Sequence, residues 1–304
     1  MGINSLEKLL EVKKGQSKNL AVVACHDEEV LEAVVEAYRL GIAKPILVGD
    51  REKTLAIGEE KKLDLSPFKI VDEKDLNLAA EIGVKMVRNG EANFIMKGLV
   101  DTSILLKAVL NKEWGLRTDS LLSHVMVYEI ADYHKLIYLT DGGMNLAPGV
   151  DDKVKIIENA ALVARAMGNK VIKVACLAAK EKVDTKMQAT VDAGELKSKY
   201  QKGEFSKDIV VEGPMALDLA VSSESAKIKG YKSEVAGDAD ILLVPNIEMG
   251  NGIGKSITYF AGGKSAGIVM GAKAPIVLVS RADNHLAKLY SIALGSISAG
   301  KEAN

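Results

Sequence analysis

Aromatic residues are scarce in this chain: four Phe, eight Tyr and one Trp make up 4% of 304 residues. A core without rings must be filled by Ala, Val, Ile and Leu, which suits parallel strands covered by helices on both faces. Cysteine is almost missing as well. Cys25 and Cys176 stand far apart, and neither belongs to a CxxC pair. A zinc site or a disulfide framework has little to build on, so both cysteines read as small core residues of a reduced, intracellular protein. Charge of one sign is also lacking: the net charge is -1 and no stretch is purely basic. That removes the electrostatic signature of nucleic-acid binding but leaves room for a local anion site. No apolar run approaches the ~20 residues of a membrane span. The Lys- and Glu-rich start has no apolar stretch of the signal-peptide kind, and a cytoplasmic location is expected.

What is present is a folded-protein balance of 48% hydrophobic and 27% charged residues. The length predicts about two domains. Short apolar runs alternate with longer amphipathic ones. Leu20–Cys25, Pro45–Val48, Ile70-Val71, Phe94–Met96 and Leu136–Leu139 read as strands. Asp27-Glu28-Glu29 supplies an N-cap and an acidic first turn for a helix to about Leu40, stopped by Gly41. Leu76–Arg88 and Ser103–Leu110 read as further helices. This βαβ series predicts a mostly parallel sheet. Gly142 to Gly149 is rich in turn residues and reads as an interdomain crossing. Beyond it come a helix over Asp152–Met167, strands at Val171–Leu177, Ile209–Val211 and Ile241–Val244, and a charged helix over Lys182–Tyr200. Pro275–Val279 is a last strand and Leu286–Leu294 a last helix. Two three-layer α/β/α domains with an interdomain cleft are expected, with ligands outside the C-terminal ends of strands.

Four post-strand loops carry candidate chemistry. In Asn246–Lys255, three glycines at spacing two (Gly250, Gly252, Gly254) and Lys255 can bring N–H groups and charge to an anion, or simply form a tight strand-to-helix turn. It is neither a Walker A loop, because Met249 stands where a glycine is needed, nor a GxGxxG. In Ser280–His285, Arg281 can grip phosphate, Ser280 can steady an oxyanion, and Asp283 or His285 can take a proton; the same residues also suit helix capping. Asp141–Asn145 reads as a hinge or a cleft lining, and Lys97-Gly98 with Lys107 and Lys135 as positive charge or solvated surface. Pro214 reads as the first residue of a helix, and His124 as structural.

Together these segments resemble the phosphate acetyl/butyryltransferase family, and within it the butyryl branch most closely. The resemblance runs from about Leu20 to Leu294. It is carried by Val211–Asp218, Asp238–Pro245, Gly250-Asn251 and Ser280–Asp283, in that order and spacing, with Lys97-Gly98 and Asp141–Asn145 in agreement. It implies a first domain of residues 1–145 plus 270–304 and a second of 146–269, assembled as a homo-oligomer. It implies direct transfer of a butyryl group between coenzyme A and inorganic phosphate in a ternary complex. Coenzyme A is then a substrate, with no tightly bound cofactor and no metal. Ser280, Arg281 and Asp283 are the implied catalytic residues. Lys97, Lys107, Lys135, Asn145, Gly250, Asn251, Gly252, Lys255 and His285 are the implied binding residues. Where the acetyl branch has an aspartate as base, this chain has Ala287, so the role moves to Asp283 or His285 or to a residue outside this segment. Arginines of that branch fall near Lys107 and Lys135, which keep charge but lose paired-donor geometry. The competing readings are an acetyl-specific enzyme, a nicotinamide-dependent dehydrogenase, and a non-catalytic CoA-binding relative. The dehydrogenase lacks its glycine fingerprint.

Overall fold

The computed structural model describes residues 2–11, 17–280 and 283–300. The chain divides into two compact units. The first joins Leu6–Ser120 to Ala266–Asn304, and the second joins Met1–Ser5 to Leu121–Ser265.

The chain enters the first unit through α1 (Leu6–Glu11), β1 (Lys18–Val23), α2 (Glu28–Arg39), β2 (Ala43–Gly49), α3 (Arg51–Glu60), β3 (Lys69–Asp72), α4 (Leu76–Arg88), β4 (Phe94–Lys97) and α5 (Thr102–Val109). Three aspartates set where helices begin. Asp27, Asp50 and Asp75 accept from Val30, Lys53 and Leu78 backbone N–H groups and so cap α2, α3 and α4. Gly41, at φ 71°, supplies the left-handed turn that ends α2 and leads into β2.

The second unit follows with β5 (Ser123–Glu129), β6 (Ile137–Thr140), α6 (Val150–Ala166), β7 (Ile172–Leu177), α7 (Gln188–Gln201), β8 (Ile209–Met215), α8 (Leu217–Val221), α9 (Ser223–Ile228), β9 (Ile241–Leu243) and α10 (Ile247–Tyr259). The chain then returns to the first unit with β10 (Lys264–Met270), β11 (Ile276–Val277) and α11 (His285–Ser298).

In the first unit the strands run β3-β2-β1-β4-β11-β10, parallel except for the β11/β10 pair. In the second they run β5-β6-β9-β7-β8, parallel except for β5/β6. Consecutive residues of β4, β6 and β9 are all buried. Side chains alternate across a strand, so unbroken burial means that both faces are covered. The α/β expectation and the mostly parallel strands are therefore met.

Several local readings change. The expected crossing at Gly142–Gly149 lies wholly inside the second unit, and the contact division falls at Ser120/Leu121 instead. The reason is β5, which the sequence reading passed over. It pairs antiparallel with β6, placing Met126 opposite Leu139, and β6 pairs with β9. Residues 121–145 are thus built into the second unit. The return falls at Ser265/Ala266, within β10, rather than at 269/270. Pro214 lies in β8 rather than at a helix start. That strand ends the order, where a missing N–H costs no ladder bond on the open side.

Candidate active site

In the first unit, β1, β4 and β11 are neighbours and parallel, so their C-terminal ends lie together. The segments leaving those ends are Ala24–Asp27, Lys97–Asp101 and the stretch that holds Ser280. The first two are fused by backbone: Gly98 and Leu99 N–H groups donate to Val23 and Ala24 carbonyls at 2.8 Å each. Gly98 is obligatory there, because a Cβ would lie 2.3 Å from the Ala24 carbonyl oxygen. Lys97 is buried, and its ammonium donates to the Gly98 and Val100 carbonyls at 3.2 and 3.1 Å. A buried positive charge therefore stands at the end of β4, braced by its own loop.

Ser280 and Asp283 close a tight turn. The Ser280 N–H donates to Asp283 Oδ2 at 2.9 Å, and the Asp283 N–H donates back to the Ser280 carbonyl at 3.1 Å. The buried Lys288 ammonium donates to the Asp283 carbonyl, and Asn284 caps α11 by accepting from Ala287 N–H at 3.0 Å. Ser280 is thus displayed by a turn fastened from below by α11. Arg281 lies outside the described residues. The Asp283 carboxylate, read as a base, is engaged in the turn itself. His285, the first residue of α11, points toward α2, with Nε2 3.8 Å from Glu36 Oε2.

Two residues here escaped sequence reasoning. Lys288 gave no signal, being one lysine on an amphipathic helix. His26 did give one, since it directly follows the strand read at Leu20–Cys25. Its Nδ1 is buried without a hydrogen-bond partner, and burial together with Lys53 holds the ring below the usual imidazole value.

In the second unit the corresponding strand ends are those of β6 and β9. Asp141 is buried, and its Oδ1 accepts from the Gly143 and Met144 N–H groups at 2.9 Å each. Asn145 donates to Asp141 Oδ2 at 2.6 Å and to the Leu122 carbonyl at 2.9 Å. The Asp141–Asn145 segment is a locked loop rather than a hinge. Asn246 caps α10 by accepting from Met249 N–H at 3.0 Å.

The glycine stretch that was read as a loop is the first half of α10. Gly250 and Gly254 form its buried face. A Cβ at Gly250 would lie 2.6 Å from Gly142 Cα, and one at Gly254 would lie 2.6 Å from the Tyr128 hydroxyl. These glycines allow helix α10 to sit against the Asp141 loop and β5. Gly252 has nothing within 4 Å, and it shares the exposed side with Asn251 and Lys255.

The remaining lysines stand elsewhere. Lys135 precedes β6, opposite the end that carries Asp141, and is paired with Asp238 and Asp240 at 2.8 Å. Lys107 is exposed in the last turn of α5, where a cation complements the helix dipole. It lies about 7.5 Å along that helix from its start at the β4 end.

The profile of the family described as Phosphate acetyl/butaryl transferase matches residues 5–82 and 73–295. A phosphate butyryltransferase of Clostridium acetobutylicum is 44% identical over 296 residues, covering 97% of this chain and 98% of that one. A phosphate acetyltransferase of Thermotoga maritima is 41% identical over 294 residues, covering 97% and 99%. The crystal structure of a branched-chain phosphotransacylase from Enterococcus faecalis V583 superposes with a TM-score of 0.83 at 32% identity, covering 93% and 99%. Joined to two parallel α/β units whose candidate groups cluster at strand ends, these likenesses assign the chain to the phosphate acetyl/butyryl transferase family of acyltransferases.

Proposed function

We propose that this protein is a phosphate butyryltransferase, converting butyryl-CoA and inorganic phosphate to butyryl phosphate and CoA, reversibly. The observation that carries the chemistry is the Ser280–Asp283 turn that follows β11, together with the buried Lys97 at the end of the neighbouring parallel strand β4. In the forward direction a phosphate oxygen attacks the thioester carbonyl carbon, and a C–O bond forms. The Ser280 hydroxyl donates to the oxygen that gains charge. The tetrahedral species collapses, the C–S bond breaks, and the sulfur leaves as thiolate. Lys97 contributes fixed positive charge near the developing negative charge, which is strongest where water is excluded. Arg281 is assigned the phosphate by its chemistry, since a guanidinium pairs with two phosphate oxygens.

Asp283 holds Ser280 through its backbone N–H, and we assign it a positioning role. Asn251, Gly252 and Lys255 are assigned to the phosphate groups of CoA: Asn251 and Lys255 are four residues apart on α10, and Gly252 keeps that side free of bulk. Asn145 is assigned the task of holding the Asp141 loop that α10 packs on. Lys107 and Lys135 take no part in this reading, because one sits at a helix end and the other is neutralised by two carboxylates. CoA is a substrate, and no tightly bound cofactor is required.

The Thermotoga maritima relative supports a second reading, transfer of acetyl, because its identity is close to that of the butyryl enzyme. One methylene is worth only about 1–3 kcal/mol in an apolar pocket, so modest changes in shape decide between them. Ser280→Ala tests the assignment of the oxyanion donor. Turnover is expected to fall by about 100-fold or more with CoA affinity retained. Undiminished turnover removes Ser280 from the mechanism.

A further inference from the structure

Ala24, Cys25, Val100 and Val279, in the segments that leave β1, β4 and β11, are all buried. Leu99 is not: its side chain is 40% exposed. Among the described residues of those segments it is the one large apolar side chain that is exposed. The backbone around it explains why it stays outside. Leu99 N–H donates to the Ala24 carbonyl at 2.8 Å, and Val100 N–H donates to the Gly98 carbonyl at 2.9 Å. The Lys97 ammonium holds the Gly98 and Val100 carbonyls, and Val100 takes the buried position. The loop is thus fixed with an isobutyl group facing out, which forgoes burial until something apolar covers it. The strand register sets where that group stands. Met96 of β4 lies opposite Val277 of the parallel β11. Leu99 and Ser280 each follow three residues later in their own stretch of chain. Neighbouring strands run about 4.8 Å apart, so the two residues leave the sheet at one level on adjoining chains.

We propose that Leu99 lines the acyl pocket and sets the preferred chain length, meeting the alkyl tail of the acyl group whose carbonyl oxygen Ser280 holds. The inference rests on the phosphate butyryltransferase reading above. Beyond its carbonyl, a short acyl group offers nothing to hydrogen-bond, so its length is read only by apolar contact and by steric limit. Leu99 supplies both. Each methylene buried is worth roughly four-fold in binding, so covering the two that butyryl has beyond acetyl gives a preference of about ten-fold. A smaller side chain at this position gives up that contact and leaves room for a longer tail. A larger one closes the space that butyryl needs. Because the bonds that fix the loop are made by the backbone and by Lys97, replacing the Leu99 side chain leaves them in place.

The test compares the full wild-type chain with Leu99→Ala, Leu99→Phe and a control, Leu55→Ala, at an exposed leucine of α3. Initial rates of CoA release from acetyl-, butyryl- and hexanoyl-CoA are measured with and without phosphate, and Tm is recorded for each protein. Leu99→Ala is expected to lower kcat/KM for butyryl-CoA by about ten-fold, to keep acetyl-CoA within about two-fold, and to raise the hexanoyl-to-butyryl ratio. Leu99→Phe is expected to lower butyryl-CoA relative to acetyl-CoA. The control should keep the wild-type profile. A partly unfolded variant loses all three rates together, so the ratio between acyl chains still reports the pocket. A butyryl-to-acetyl ratio unchanged in both Leu99 variants, beside phosphate-dependent release by the wild type, overturns the role of Leu99 alone. Wild-type release that ignores phosphate overturns the phosphate butyryltransferase proposal and the role of Leu99 with it.

Discussion

At the scale of single residues, the account rests on what each side chain is already doing. The Asp283 carboxylate accepts the Ser280 N–H, a contact that an asparagine oxygen can reproduce. Steady-state rates should therefore separate two substitutions: Asp283→Asn keeps most of the turnover, while Asp283→Ala loses about ten-fold or more. An Asn variant as inactive as the Ala variant would make the negative charge itself essential and return Asp283 to the role of base. The thiols make a second prediction. Cys25 and Cys176 are both buried and free, and burial pushes the Cys176 thiol up to about 12. Neither should react with a thiol reagent in the native protein at pH 8, and both should react once it is unfolded. This much was legible from composition, because two isolated cysteines in apolar runs have few other uses. The lysines were less legible. Lys97 and Lys135 look alike in sequence, yet one ends a strand at the candidate site and the other stands just before a strand, against Asp238 and Asp240. Lys97 is braced by its own loop, whereas the carboxylates that hold Lys135 lie about a hundred residues further on and leave no local sign.

Helices and strands differ in how plainly they announce themselves. The Asp-capped helices and the Val- and Ile-rich parallel strands could be read directly, since capping and burial leave local signatures. Helix α10 could not, because its glycines are local evidence for a turn and the reason for them is tertiary. Gly250 and Gly254 are needed by Gly142 and Tyr128, which lie on other elements. Likewise β5 hides its strand character behind Ser123 and His124, although its alternating burial matches a half-covered strand. The three glycines of α10 should therefore respond oppositely to alanine. Gly250→Ala and Gly254→Ala force a Cβ into contacts of 2.6 Å and should lower Tm. Gly252→Ala meets no atom within 4 Å and should raise stability by about 0.5–1 kcal/mol. If the exposed side of α10 does approach CoA, the same Gly252→Ala protein should show a raised KM for CoA. An unchanged KM would free that side of any substrate role.

For the molecule as a whole, the second unit is pinned at the starts of its strands by a charge cluster. Asp238 receives Lys135, Lys173 and His134 at 2.8, 2.5 and 2.7 Å, and Asp240 pairs with Lys135. Burial alone would raise the Asp238 carboxyl, but hydrogen bonds from Lys135, Lys173 and His134 outweigh it and hold it well below the usual range. A depressed folded value means stability that is complete above the unfolded value, near about 4, and is lost as pH falls toward the folded one. The Tm gap between wild type and Asp238→Asn should therefore be full at pH 7 and narrow steadily below about pH 4. A gap that ignores pH would show that the carboxylate charge is not what matters. The two-unit α/β plan was legible in the alternation of strands and helices. The place where the chain changes unit was not, because it depends on β5 joining β6 rather than on any run of turn residues. The central claim concerns chemistry, and one measurement meets it most directly: initial rates of CoA release from acetyl-, propionyl- and butyryl-CoA, with and without phosphate. The account predicts phosphate-dependent release, fastest with butyryl-CoA and lost in Ser280→Ala. Release that is independent of phosphate, or much faster with acetyl-CoA, would contradict it.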